Sequence, residues 1–217
     1  MVSKKYFSLI QYSLFIIHYY LEVFILSIPD LEKIYTYSDY LNFSDDVRWE
    51  ILDGVPYMLD APIWEHQAIS RKIVTQLDRQ LEGTPCDVFY APFDLRLPYK
   101  NVKDEDTSTV VQPDILVVCD KSGLKGTGYF GVPDFIVEIL SDSTARYDKT
   151  KKLDKYEKSG VKEYWIVDPV GMDVSVFVLN NGIYGKPDYY FKNDKIKLKA
   201  IDNVEVDLVP VFNSIKI

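Results

Sequence analysis

Apolar residues recur along this chain with two periods, and the switches between them mark its elements. Ile69, Ile73, Leu77 and Leu81 stand four apart with Val74 beside them, which predicts an amphipathic helix over 64–81, ended by Gly83 and Pro85. Ahead of it, a polar start at Thr36 to Ser38 predicts a short helix over 38–44. Residues 49–59 read as a hairpin turning at Asp53 and Gly54. Three strand candidates follow, at 88–97, 114–119 and 135–141. The 100–109 connection is polar and expected to be mobile, and 121–128 is a turn-rich loop. A second helix is predicted over 145–159 with Gly160 at its stop. A strand at 162–169 and a hairpin of 175–179 with 183–191 about Asn181 and Gly182 complete the pattern. This order predicts an α/β layer around a mixed sheet.

Two acids break the apolar pattern where it is strongest. Asp114 lies in Val110–Val118, and Glu138 lies in Pro133–Ser141. Burying an unpaired carboxylate costs several kcal/mol or forces it to take up a proton. The midpoint of 114 and 138 is residue 126, a glycine inside the turn-rich loop. Two strands paired about that point would bring both acids to one level. With a lysine-rich stretch close behind, the pair suggests a divalent-metal site.

Composition narrows the picture. The chain has 217 residues, 47% apolar and 27% charged, which suits a soluble globular domain with its own core. Its 17 Tyr suit strand faces, where the ring packs and the hydroxyl keeps a polar partner. Cys86 and Cys119 have no metal-type spacing and read as free thiols in a reducing compartment, with no disulfide framework. Two histidines, His18 and His66, are too few and too far apart for a histidine-rich zinc site.

A net charge of −8 argues against binding nucleic acid through bulk field alone. Residues 141–162 nevertheless hold seven basic residues against four acids. At the start, an apolar run over 6–28 contains Glu22, His18 and several tyrosines, so it makes a poor bilayer span. A peripheral helix or a start codon placed too early is the expectation for residues 1–30; a membrane anchor is the less favoured alternative.

These residues resemble a known group. Trp49–Gly54, His66, Gln112–Asp114, Pro133–Ser141, Asp148, Lys152, Leu153, Tyr156 and Gly160–Pro169 are together similar to the Uma-two family, within the PD-(D/E)XK nuclease superfamily. The likeness runs from about Tyr35 to the C-terminus, so 31–217 is expected to be one restriction-endonuclease-like domain after an apolar extension at 1–30. The resemblance implies a central mixed β-sheet flanked by helices, with β-rich additions. It also implies an endonuclease that hydrolyses DNA with Mg²⁺, Mn²⁺ being able to substitute, in the cytoplasm; it admits a homodimer. The superfamily's usual lysine, two residues after the glutamate, is here Leu140. The resemblance implies that Lys152 takes its place.

In that scheme Asp114 and Glu138 are catalytic and bind the metal, with the backbone carbonyl of Ile139 a further candidate ligand. Lys152 orients the attacking water or helps to deprotonate it, and offsets charge on the phosphorane. The other polar residues have plainer readings. Lys152 stands four after Asp148, as in an ordinary helix ion pair. His66 lies on an apolar helix face, where a hydrogen-bonded core histidine is expected ahead of a catalytic one; Glu50 reads as a strand-face acid, with a contact to the metal or its water as the alternative, and Tyr156 as packing on Lys152. The alternative function is a degenerate nuclease fold that only binds nucleic acid or protein, for which Leu140 is the best support.

Overall fold

A computed structural model describes residues 30, 32–44, 46–99 and 101–215. The expectations for the N-terminal extension therefore lie outside the described residues. Among those residues, no helix is long and apolar enough to cross a membrane.

The first hairpin forms as predicted, from β1 (Arg48–Leu52) and β2 (Val55–Leu59). Its turn needs two residues at positive φ, and Asp53 (51°) and Gly54 (81°) supply them. The long helix spans Trp64–Leu81. Ile69, Ile73 and Leu77 on its inner face are fully buried, each stabilising the fold by roughly 1.5–3 kcal/mol.

The strand predicted at 88–97 is instead two: β3 (Asp87–Tyr90) and β4 (Asp94–Arg96), which belong to different sheets. Pro92 between them has no N–H to give a ladder, so the run breaks there. The 100–109 connection is tied down rather than loose. Thr107 and Thr109 are buried, and Asp104 lies 3.1 Å from the guanidinium of the buried Arg96.

The chain continues through β5 (Val110–Val111), β6 (Ile115–Val118), β7 (Leu124–Lys125), β8 (Gly128–Phe130) and β9 (Phe135–Ile139). Next comes one helical stretch, Ala145–Tyr147, a π-turn at Asp148–Lys152, and Leu153–Ser159. β10 (Glu163–Asp168), β11 (Asp173–Asn180), β12 (Ile183–Tyr184) and β13 (Asp188–Phe191) follow. A small β14–β15 pair (Lys195–Lys197, Glu205–Asp207) and a last helix (Leu208–Asn213) end the described chain.

Two sheets result. One has the order β2-β1-β5-β4-β8-β7; the other runs β12-β11-β10-β9-β6-β3, with β13 also on β11. In the second, β6 and β9 are antiparallel and β9 and β10 parallel, joined by the helical stretch. Alternate residues face opposite ways. Ile115, Val117, Val137 and Trp165 pack against the long and last helices. Leu116, Val118, Ile136 and Tyr164 face Leu52, Leu95 and Val111 of the first sheet, and Tyr156. Glu138 shares this second face by its parity with Ile136.

The cysteines correct one expectation. Cys86 and Cys119 form a disulfide, and no free cysteine remains. The register explains it: Asp87 pairs with Val118, so the flanking Cys86 and Cys119 stand opposite each other. Cysteines paired in this way give no support to the expected reducing compartment.

Candidate active site

Strand register sets the two acids level. Ile115 pairs with Val137 on antiparallel strands, which places Asp114 opposite Glu138. Asp114 sits where the chain leaves the first sheet after β5 and enters the second at β6. A cleft of about 570 Å³ opens at this junction, lined among others by Asp114, Glu138, Lys152, Glu50 and His66.

Asp114 Oδ2 accepts the Ile139 amide at 2.8 Å and lies 2.9 Å from His66 Nε2. The Asp114 amide in turn points at Glu138 Oε2, at a long 3.4 Å. Ile139 thus serves through its N–H. Glu138 is 3% exposed, and its Oε1 accepts from Lys152 Nζ at 2.9 Å and from the Tyr156 hydroxyl at 2.8 Å. Lys152 also donates to Glu50 Oε1 at 3.0 Å and lies 3.6 Å from Asp148 Oδ1. Asp148, Lys152 and Tyr156 recur every four residues, so one helical face carries all three inward. The π-turn lies between the first two, a distortion often found at functional sites.

The structure therefore brings Asp114, Glu138 and Lys152 into one cluster. Leu140 is buried among apolar side chains, and the helix delivers the ammonium that the strand lacks. Three residues with plainer readings join them. His66 is a buried histidine whose hydrogen-bond partner is Asp114 itself. Glu50 is fully buried against Lys152, not exposed on a strand face. Tyr156 bonds Glu138 directly rather than merely packing on Lys152. All three lie within the matched motifs (Glu50 in Trp49–Gly54), but only the pairing of β1 with β5 brings Glu50 to the cluster.

Burial dominates the electrostatics. It pushes the Glu138 carboxyl well above its usual range, with Lys152 pulling the other way. It pushes Asp148 up to about 6, again against Lys152. Burial would lower Lys152, but Glu138 and Glu50 outweigh it and raise the ammonium well above its ordinary value. Glu50 Oε2 and His66 Nδ1 are buried without a hydrogen-bond partner. Three carboxylates (Glu50, Glu138, Asp148) surround the Lys152 ammonium, and a fourth, Asp114, stands beside Glu138. Among the described residues, no three His, Cys, Asp or Glu side chains are grouped to hold a metal ion.

The basic stretch behind the site is largely neutralised. Lys155 pairs with Asp53, Lys158 with Asp154 and Lys162 with Asp134.

A family model described as "Uma2: Putative restriction endonuclease" matches residues 32–209. The chain is 26% identical over 167 residues to "Uncharacterized protein slr1290" of Synechocystis sp. (strain ATCC 27184 / PCC 6803 / Kazusa), covering 76% of this chain and 84% of that protein. Its fold is similar to the crystal structure of "a putative nuclease belonging to DUF820 from Anabaena variabilis ATCC 29413". There the TM-score is 0.68 at 16% identity, over 83% of this chain and 98% of the other. The expected restriction-endonuclease-like α/β architecture is the one found.

Proposed function

We propose, for a chain that belongs to the Uma2 family of "putative restriction endonucleases", that this cleft hydrolyses DNA phosphodiester bonds with Mg²⁺ held on Asp114 and Glu138. The observation that carries the reading is the meeting of Lys152 Nζ with Glu138 Oε1 at 2.9 Å, beside Asp114. These residues come from three separate elements and converge at the wall of one cleft.

The residues suit a sparsely held ion. Mg²⁺ keeps several waters and needs only one or two carboxylates plus substrate oxygens, not an all-protein cage. Four carboxylates stand against one ammonium in this cluster. A divalent cation would relieve that repulsion, and Glu50 Oε2 is an acceptor of the same cluster with no protein partner. Bound Mg²⁺ supplies a polarised phosphate and a water of lowered pKa.

The chain's own groups hold and orient. His66 and the Ile139 amide fix Asp114 through Oδ2, while Tyr156 and Lys152 fix Glu138 through Oε1. Lys152 orients the attacking water and offsets charge growing on the phosphorane. The test is nicking of supercoiled plasmid with Mg²⁺ or Mn²⁺. Wild-type protein should nick, and Glu138→Ala should lose at least about 10²-fold in rate. Equal nicking by both would overturn the reading.

One observation favours a second reading, a nucleic-acid-binding module without catalysis. The Lys152 ammonium is already engaged by two carboxylates. DNA binding with no nicking in either metal would select it.

A further inference from the structure

Arg48, Lys149 and Lys152 are the cations that line the cleft. The pleat of β1 turns Arg48 and Glu50 to one side, and both line the cleft. Lys152, Lys155, Lys158 and Lys162 each meet a carboxylate. Among the described residues Arg48 has no such partner. Its Nε and Nη2 instead donate to one neutral acceptor, Gln112 Oε1, at 3.1 and 2.8 Å.

That acceptor is fixed from behind. Gln112 Nε2 donates to the Tyr40 hydroxyl and to Asp94 Oδ1, both at 3.0 Å. Asp94 is 6% exposed and also accepts from Tyr40 and from Thr127, each at 2.9 Å. The Gln112 amide donates to Glu50 Oε1 at 2.7 Å, tying the same residue to the carboxylate cluster. An amide tether orients a guanidinium without neutralising it, as a carboxylate would. A guanidinium has five N–H donors, and Gln112 takes two of them. Arg48 is half-buried on the wall of the cleft, so the remaining donors carry a full, oriented positive charge beside an acidic site. Such a group matches a phosphate, whose oxygens accept parallel N–H bonds.

We propose that Arg48 binds a backbone phosphate of the DNA strand in this cleft, and that Gln112 is the positioning residue that aims it. The inference rests on the nuclease reading and adds a substrate contact to it. It would offset the repulsion between the acidic cleft and a polyanion at one defined phosphate.

Anisotropy of a labelled duplex oligonucleotide in Ca²⁺, across a range of salt concentrations, tests it with the full chain. Arg48→Ala should weaken binding about tenfold and reduce the slope of log K against log salt by about one. Arg48→Lys should keep the wild-type slope, since the charge remains, while losing affinity with the planar fork. Melting curves of both variants establish that they are folded; should Arg48→Ala not fold, the Lys and Gln variants give the same slope comparison. Wild-type binding with an unchanged slope in the charge-removing variant would overturn the phosphate contact alone. Failure of wild-type protein to bind DNA even at low salt would overturn the nuclease reading and this inference with it.

Discussion

Asp148 is the residue whose protonation most directly couples the cluster to pH. Its carboxyl is pushed up to about 6 by burial, with Lys152 opposing, against an unfolded value of about 4. A raised carboxyl pKa means that the folded state holds the proton more tightly. Its contribution to stability is therefore present below about pH 4 and is lost as pH climbs through about 6. Asp148→Asn removes that dependence. The stability difference between variant and wild type should shift towards the variant by up to about 3 kcal/mol over this window. Urea melts at several pH values check it, and a difference constant with pH would refute it. The same burial explains what could be read in advance. Asp114 and Glu138 stood out because their chain neighbours are aliphatic. Glu50 and His66 did not, because a polar residue in a strand or on a helix face reads alike whether its partner is water or a carboxylate. Arg48 gave no signal: its anchor, Gln112, is 64 positions away.

At the scale of elements, the level of Asp114 and Glu138 was legible but the route between them was not. Both faces of β6 and β9 are buried, so a slip of one residue would carry every side chain into the opposite core. Ile115 therefore meets Val137, as symmetry about Gly126 requires. The turn-rich stretch between them is no simple hairpin loop, because β7 and β8 leave to join the other sheet. Two- and three-residue strands carry too short a pattern to be recognised. Helix ends were clearer, because they depend on local chemistry. Gly160 closes the helix with φ of 90°, and the amides of Gly160 and Val161 both donate to the Tyr156 carbonyl, at 3.1 and 3.0 Å. A Cβ added there would meet nothing within 4 Å. Gly160→Ala therefore costs backbone strain alone, about 1 kcal/mol. A thermal melt should show that loss with plasmid nicking unchanged. A larger loss accompanied by inactivity would mean that the helix end itself sets the position of Tyr156 on Glu138.

For the whole molecule, the question is how an acidic chain keeps so many carboxylates together at the seam between two sheets. The net charge of −8 already opposes compaction, and the cluster adds a local excess that one lysine does not cancel. Folding brings these acids together, so a cation that binds them should bind the folded state in preference to the unfolded one. At a concentration one hundred times its dissociation constant, such an ion stabilises by about 2.7 kcal/mol. For a chain of this size that corresponds to a rise in Tm of roughly 5–10 °C. Screening by salt would act on exposed charges everywhere, so Mg²⁺ must be compared with NaCl at equal ionic strength. Asp114→Asn separates the two effects. It removes one carboxylate charge at the cleft and leaves the surface unchanged, so the Mg²⁺-specific rise should vanish while the NaCl response stays. An equal Mg²⁺ rise in wild type and variant would locate the ion elsewhere on the acidic surface. The lysine-bridged carboxylates would then be a structural lock between the sheets, held by Lys152 alone.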